Sequence, residues 1–345
     1  SFQGVMRDIS ETLKSVYNTT SIAIVPGGGT YGMEAVARQF ANDRDCVVLR
    51  NGWFSFRWSQ IFDAGDIPAS CTVLKARPTD DRATPSYAPA PVEEFVAAIR
   101  KARPSLVCAP HVETSSGIIL SEEYMRAVSD AVREVGGLFV LDCIASGTIW
   151  VDMEAAGVDI LISAPQKGWS ASPCAALVMM NDRARKAIDE TTSSSFACDL
   201  KKWLSIMETY EGGGHAYHAT MPTDALVKFC ESMKETQAYG FDKIRDEQQA
   251  LGDKMRAMLE RNGFKSVAAG GFKAPSVVVS YTDAAEVQNG SRFAAEGVQI
   301  AAGVPLECDE GDDFRTFRLG LFGLDKLQNI DRTVANFEDA LNKVL

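Results

Sequence analysis

Three short segments of this chain combine residue types that could carry chemistry. Gly27-Gly28-Gly29-Thr30 lies between an apolar run and a helical pattern, where backbone N–H groups and a helix N-terminus can bind an anion. Asp142 ends the apolar run LFVLD, and Lys167 follows the run DILIS after a short loop of small residues. A buried carboxylate needs a cationic partner, so the acid and the amine could serve one site beside an anion cradle.

Each segment also has a plain structural interpretation. The glycines could form an ordinary strand-to-helix turn, Asp142 could cap the next helix, and Lys167 could be a solvated surface group. The glycine segment is neither a P-loop nor a GxGxxG fingerprint. A nicotinamide site is disfavoured further because no suitable acid lies about 20 residues on.

One ligand would account for all three segments together. Pyridoxal phosphate requires a lysine for its covalent link, an acid opposite the ring nitrogen, a phosphate cradle and an aromatic residue against the ring. The separation of Asp142 and Lys167 leaves room for one helix and one strand, so both side chains can reach the same edge of a sheet.

Four further segments extend this pattern. They are Asn51-Gly52-Trp53-Phe54-Ser55-Phe56-Arg57, Glu113-Thr114-Ser115-Ser116-Gly117, Tyr217-His218-Ala219-Thr220 and Phe317-Arg318-Leu319-Gly320. With them the chain resembles the class V aminotransferases of the pyridoxal phosphate fold type I, in the alanine–glyoxylate and serine–pyruvate group. The resemblance is collinear over roughly residues 20–330.

The resemblance implies a role for each matched residue. It implies that Lys167 and Asp142 are catalytic and that Arg318 binds the substrate carboxylate. The cofactor-binding residues that it implies are Gly28, Gly29, Thr30, Phe54, Thr114, Ser115, Asp142, Gln166, Lys167, Tyr217 and Thr220. No metal site is expected, since the chain has three histidines and no CxxC pair.

Some of these implied roles are more specific. Phe54, rather than Trp53, is expected to stack on the cofactor ring, and a hydroxyl of Ser115 first, or Thr114 second, to contact the cofactor. Gly28 stands where the family usually has Ser. Tyr217 and Thr220 are implied to reach the phosphate of the other subunit's cofactor, so the resemblance implies a homodimer with shared active sites.

The elements that must position these residues alternate between strand and helix. We predict strands near residues 21–25, 46–50, 70–75, 105–109, 138–142, 159–163 and 175–180, with amphipathic helices between them. This alternation predicts an α/β fold with a mostly parallel seven-stranded sheet sandwiched by helices. In such sheets ligands gather at the carboxyl ends of the strands.

After about residue 220 the pattern changes. A helical stretch runs roughly over 222–262 with a break at Tyr239-Gly240-Phe241, and strands near 276–281 and 315–320 precede a final helix at about 325–343. We predict an N-terminal helix or arm over 1–19 that packs with the small domain or a partner, a large cofactor-binding domain over 20–235, and a small α+β domain over 236–345.

Composition excludes several classes of protein. The formal net charge is −11 and the basic residues are dispersed, which disfavours a nucleic-acid partner. No run approaches the ~18 apolar residues of a membrane span. The eight cysteines and the absence of a visible secretory signal fit a reducing cytoplasm.

The expected activity is transfer of the amino group of a small L-amino acid, such as alanine or serine, to pyruvate or glyoxylate by a ping-pong mechanism. The alternative is a pyridoxal phosphate-dependent lyase or cysteine desulfurase of the same fold, for which Cys308 would be the reactive thiol. A non-catalytic regulator is disfavoured because the chain has no basic DNA-binding module.

Overall fold

The computed structural model describes residues 1–345, the whole of the chain. The strands are β1 (Ser21–Pro26), β2 (Asp45–Arg50), β3 (Ser70–Lys75), β4 (Arg77–Pro78), β5 (Tyr87–Ala88), β6 (Leu106–Pro110), β7 (Val112–Glu113), β8 (Ile118–Ile119), β9 (Leu138–Asp142), β10 (Ile160–Ser163), β11 (Ala175–Met180), β12 (Val277–Tyr281), β13 (Ala301–Ala302) and β14 (Thr316–Gly320). The helices are α1 (Phe2–Tyr17), α2 (Gly29–Phe40), α3 (Trp53–Gly65), α4 (Val92–Ala102), α5 (Glu122–Glu134), α6 (Met153–Ala156), α7 (Asp182–Asp189), α8 (Leu200–Glu211), α9 (Thr223–Tyr239), α10 (Phe241–Arg261), α11 (Ala285–Gln288), α12 (Ser291–Ala295), α13 (Leu324–Gln328) and α14 (Ile330–Val344).

The seven predicted strands form one sheet in the order β1-β11-β10-β9-β6-β2-β3. Strands β10, β9, β6, β2 and β3 are parallel, whereas β11 is antiparallel to both β10 and β1. Side chains of the central strands are buried almost throughout, as their continuous apolar sequences require when helices cover both faces. The predicted α/β fold class is therefore confirmed.

Helix α1 packs against the large sheet. Its buried residues Met6, Ile9, Leu13 and Tyr17 belong to the same hydrophobic core as the large sheet, and α1 contacts α8, α9 and β1. Within one chain α1 therefore packs on the core of the large sheet rather than on the small domain, and contact of residues 1–19 with a partner stays a prediction. The physical reason is the helical spacing of these four side chains, which gives α1 one apolar face for the large core.

A second hydrophobic core lies in the C-terminal part of the chain. It unites one face of α10 with α14 and the small sheet β12-β14-β13. The predicted break in the long helix occurs at Gly240, whose φ of 109° suits a residue without Cβ. The predicted final helix is two helices, because Asn329 at φ −134° and ψ 55° separates α13 from α14.

Several short elements were not predicted. They are β13 and the paired strands β4-β5 and β7-β8, each of two residues per strand. No helix combines the length and the apolar composition of a membrane span.

Candidate active site

Three loops converge at the carboxyl edge of the large sheet. They follow β1, β9 and β10, and they contribute to the lining of a cavity of about 110 Å³. The lining residues are Gly29, Thr30, Met33, Phe54, Arg57, Val112, Thr114, Asp142, Ile144, Ala145, Gln166 and Lys167. The structure therefore brings together the glycine turn, the acid and the amine that the sequence indicated.

The glycine turn places the N-terminus of α2 against this cavity. Gly28 is the N-cap residue, and Gly29 and Thr30 begin the helix, so their backbone N–H groups have no acceptor within α2. A Cβ on Gly29 would lie 2.2 Å from Cδ1 of Ile144, whereas a Cβ on Gly28 would meet no atom within 4 Å. The close approach of α2 to the cavity wall thus depends on Gly29 rather than on Gly28.

Asp142 is a buried carboxylate without a cationic partner. Its side chain is 6% exposed, and Oδ1 accepts one hydrogen bond, of 2.9 Å, from the backbone N–H of Ile144. Burial raises the pKa of this carboxyl to about 6, although that N–H and the charges of Lys167 and Arg57 act in the opposite direction. A cation supplied by a ligand would stabilise the ionised form.

Lys167 is an amine without an anionic partner. Its Nζ lies 5.9 Å from the ring centroid of Phe54 and 5.5 Å from that of Phe322. Burial lowers the pKa of this ammonium, and the charge of Asp142 acts in the opposite direction. A larger fraction of neutral amine is therefore present near neutral pH than for an ordinary surface lysine.

Phe54 is fixed by a fully buried carboxylate that sequence analysis did not assign. Oε1 of Glu113 accepts a hydrogen bond of 3.1 Å from the N–H of Phe54, and Oε2 accepts one of 2.9 Å from the N–H of Ser55. These are free N–H groups in the first turn of α3. Glu113 thereby sets the position of the aromatic ring at the cavity.

The two hydroxyls of the neighbouring turn have different surroundings. Thr114 lines the cavity. The Ser115 hydroxyl accepts a hydrogen bond of 2.9 Å from the N–H of Trp53 and donates one of 2.9 Å to Glu113. The sequence favoured Ser115 as the contact to the cofactor and Thr114 second. The structure places Thr114, rather than Ser115, where a ligand could reach it.

Two arginines reach the same aromatic ring. Cζ of Arg318 lies 5.4 Å from the Phe54 ring centroid, and Cζ of Arg57 lies 5.3 Å from it. Nε of Arg318 donates a hydrogen bond of 2.7 Å to the carbonyl of Ala302, which anchors the guanidinium to the small sheet. Arg57 has no role in the sequence-based prediction, although its position three residues after Phe54 puts both residues on one face of α3.

Tyr217 and Thr220 do not line this cavity. Tyr217 is 79% exposed, and the segment that contains both residues has neither helix nor strand. Within one chain, Tyr217 and Thr220 therefore lie apart from the residues that line the cavity.

Cys308 is poorly placed for nucleophilic chemistry. Its thiol is buried and donates a hydrogen bond of 3.4 Å to the carbonyl of Arg50. Burial raises the pKa of this thiol to about 12, so almost none of it is thiolate at neutral pH. This placement disfavours the cysteine desulfurase alternative.

The chain is similar to known proteins over most of its length. The small subunit of a soluble hydrogenase from Synechococcus sp. is 26% identical over 351 residues, which cover 100% of this chain and 85% of that protein. Alanine–glyoxylate aminotransferase 1 of Saccharomyces cerevisiae is 26% identical over 269 residues, covering 73% of this chain and 66% of that protein.

A crystal structure of alanine–glyoxylate aminotransferase from Nostoc sp. has the same fold. The TM-score is 0.80 at 20% sequence identity, and the match covers 98% of this chain and 87% of that one. The family model of class-V aminotransferases matches residues 2–304. This chain therefore belongs to the class-V aminotransferase family, and its cofactor is pyridoxal phosphate.

Proposed function

We propose that this aminotransferase moves the amino group of a small L-amino acid, such as alanine or serine, to pyruvate or glyoxylate by a ping-pong cycle. The observation that carries the proposal is the cavity itself. A buried acid, Asp142, and a buried amine, Lys167, face it without ion-pair partners beside a helix N-terminus. The similarity to an alanine–glyoxylate aminotransferase supports the substrate class.

The residues present fit pyridoxal phosphate. The side-chain amide of Gln166 lines the cavity, and its Oε1 is buried without a hydrogen-bond partner, which leaves this amide free to contact a ligand. The Thr30 hydroxyl, the N–H groups of Gly29 and Thr30, and the amide NH2 of Gln166 would donate to the phosphate, and Phe54 would lie against the ring. When bound, the cofactor supplies a ring that accepts electron density from the substrate Cα.

The chain's own groups would then hold and move protons. The Asp142 carboxylate would keep a proton on the ring nitrogen, an attraction of up to about 4 kcal/mol at ~4 Å and an effective dielectric constant of ~20. The Lys167 amine, with its lowered pKa, would act as the general base toward the substrate Cα–H.

Arg318 would orient the substrate. Its planar guanidinium offers two parallel N–H groups to a carboxylate, and its bond to the Ala302 carbonyl fixes one side of the fork. Phe54 would help to exclude water from the reacting atoms. Together these contacts would present the Cα–H of an amino acid to Lys167.

We further propose a homodimer in which Tyr217 and Thr220 complete the partner's phosphate site. The exposure of Tyr217 supports this, because a large aromatic side chain 79% exposed in one chain is free to contact another. The domain division at 20–235 and 236–345 is part of the proposal, as is a cytoplasmic location, which the eight free cysteines support.

A panel of amino donors tests the activity. The purified enzyme would be mixed with each L-amino acid in turn, and the absorbance of the bound cofactor followed before and after addition of pyruvate or glyoxylate. We expect alanine or serine to convert the spectrum and either oxo acid to restore it. Release of sulfide from cysteine, or of ammonia without spectral conversion, would instead indicate a desulfurase or a lyase.

A further inference from the structure

We propose that Arg57 binds the phosphate of the cofactor together with Thr30, and so makes the enzyme select pyridoxal phosphate over unphosphorylated pyridoxal. This inference rests on the proposed placement of the cofactor in the cavity. The proposed transamination gives no role to the Arg57 guanidinium, and this inference supplies one.

Arg57 is a half-buried guanidinium that lines the cavity without a counterion. Its only hydrogen bond in the chain is the one of 2.9 Å that Nη1 donates to Oγ1 of Thr30. It takes part in no salt bridge, whereas other arginines of the chain pair with carboxylates such as Glu134 or Asp159. The remaining N–H donors of this side chain therefore have no protein acceptor, and an anion could satisfy them.

The bond to Thr30 prepares the hydroxyl for an anion. Because the oxygen of this hydroxyl accepts from Arg57, its own proton remains available for donation. Thr30 lies in the first turn of α2, where free backbone N–H groups and the helix dipole also favour negative charge. Arg57, Thr30 and the helix N-terminus therefore direct donors toward one anion.

The distribution of cations in the cavity points to the same partner. Lys167 is committed to the aldehyde of the cofactor, and Arg318 is anchored on the small sheet for the substrate carboxylate. Arg57 extends from α3 to α2, on the side of the glycine turn. A phosphate monoester carries close to two negative charges at neutral pH, and of the three cations around Phe54, Arg57 alone is left to balance them.

A second carboxylate of a dicarboxylic substrate is the competing ligand for Arg57. The hydrogen bond to Thr30 favours the phosphate, because it ties the guanidinium to the cradle rather than to the Arg318 side of the ring. The affinity of the cofactor-free enzyme for pyridoxal phosphate and for pyridoxal distinguishes these two ligands.

The first experiment measures the affinity of cofactor-free enzyme for pyridoxal phosphate and for pyridoxal by their absorbance on binding. In Arg57→Gln we expect the affinity for pyridoxal phosphate to fall about 10- to 100-fold, the usual effect of a lost hydrogen bond to a charged group. The affinity for pyridoxal should change less than about 3-fold. Arg318→Gln, which removes a cation from the same ring, is the matched control and should keep the wild-type ratio of the two affinities.

The second measurement uses wild-type protein and so does not depend on the folding of a variant. Cofactor-free enzyme would be treated with phenylglyoxal, with and without inorganic phosphate, and modification of Arg57 and Arg318 followed by peptide mass spectrometry. We expect phosphate to slow modification of Arg57 at least several-fold more than that of Arg318.

The outcomes are distinct. An unchanged ratio of affinities in Arg57→Gln, or equal modification of Arg57 with and without phosphate, would overturn the inference. An unchanged ratio with a raised KM for dicarboxylic substrates alone would assign Arg57 to the substrate instead. If wild-type enzyme binds neither pyridoxal phosphate nor pyridoxal at Lys167, the proposed function fails first.

Discussion

At the scale of single residues, the site contains charges that the folded chain does not neutralise. Asp142 has no cation in salt-bridge contact, and burial raises the pKa of its carboxyl to about 6 from an ordinary value of 3.8. Asp159 is equally buried but is paired with Arg183 at 2.8 Å. The contrast indicates that the partner of Asp142 is a ligand rather than a side chain.

Replacing Asp142 by Asn should therefore stabilise the cofactor-free protein. A carboxyl whose pKa is higher in the folded state binds its proton more tightly there, so stability falls as pH rises from about 4 to about 6. The pKa of Asp142 is about two units above its ordinary value, which corresponds to a loss of about 3 kcal/mol in the free energy of unfolding above pH 6. Thermal unfolding should show that the cofactor-free Asp142→Asn variant is more stable than wild type by up to about 3 kcal/mol at pH 7.5. At pH 4 the two proteins should be equally stable.

Asp159→Asn is the matched control for this prediction. It breaks a buried ion pair and should destabilise the protein at pH 7.5 by several kcal/mol. A cofactor-free Asp142→Asn protein that is less stable than wild type at pH 7.5 would show that Asp142 has a structural partner. The same variant should also lose most transaminase activity, since Asn cannot hold a pyridinium proton by charge.

Substitution of Arg318 by Gln should separate substrate binding from cofactor binding. Loss of a charge-assisted hydrogen bond to the carboxylate, about 1.5–3 kcal/mol, predicts a KM for amino and oxo acids raised about 10- to 100-fold, with the cofactor absorbance retained. Arg315→Gln, whose guanidinium bonds the carbonyl of Asp283 away from the cavity, should leave KM unchanged. Unaltered kinetics in Arg318→Gln would remove the assignment of this residue to the substrate.

At the scale of elements, the loops after β9 and β10 pack against each other through glycines. A Cβ on Gly168 would lie 2.1 Å from the backbone oxygen of Gly147, an atom that no side-chain rotation can move. Gly168 directly follows Lys167, so this contact fixes where the amine enters the cavity.

Gly168→Ala should consequently displace the Lys167 loop. We expect a destabilisation of about 1–3 kcal/mol, typical of overpacking, and a weaker binding of the cofactor measured by its absorbance. Gly270→Ala is the control, because its Cβ would meet nothing within 4 Å, its φ is not positive, and the residue does not line the cavity. Equal cofactor binding by both variants would contradict this account of the loop.

The sequence was informative about elements where hydrophobic patterns are long. The sequence predicts all seven strands of the large sheet. Six of them are mainly apolar runs of four to six residues, whereas β3, SCTVLK, mixes polar and apolar residues and is more exposed. Two-residue strands such as β13 carry no such pattern and were missed. Whether Thr114 or Ser115 faces the cavity depends on how Glu113 anchors α3, a long-range contact that local sequence does not encode.

At the scale of the whole molecule, the small lobe is held against the large sheet near the site. Nη1 of Arg50 donates a hydrogen bond of 3.1 Å to the carbonyl of Glu307, and Lys75 forms an ion pair of 2.7 Å with Asp309. The positive φ of Glu307 and Asp309 shows a sharply turned segment at this contact. These contacts help to bring Arg318 to the cavity that the large sheet provides.

The proposed homodimer predicts that cofactor retention depends on protein concentration. Because Tyr217 and Thr220 are assigned to the partner's phosphate site, dilution to monomers should release pyridoxal phosphate. Analytical ultracentrifugation with detection at the cofactor absorbance would follow mass and cofactor together. Tyr217→Phe, which removes one hydroxyl and keeps the ring, should weaken cofactor binding without changing the sedimenting mass of the dimer. A monomer that retains the cofactor would refute shared sites.

The proposed chemistry requires that the Lys167 amine bind the aldehyde of the cofactor. Reduction of the enzyme with borohydride in the presence of pyridoxal phosphate, followed by peptide mass spectrometry, would locate the stable adduct. We predict the adduct on Lys167, with loss of the cofactor absorbance and of transamination in Lys167→Ala. An adduct on another lysine, or no adduct at all, would rule out Lys167 as the cofactor-binding amine.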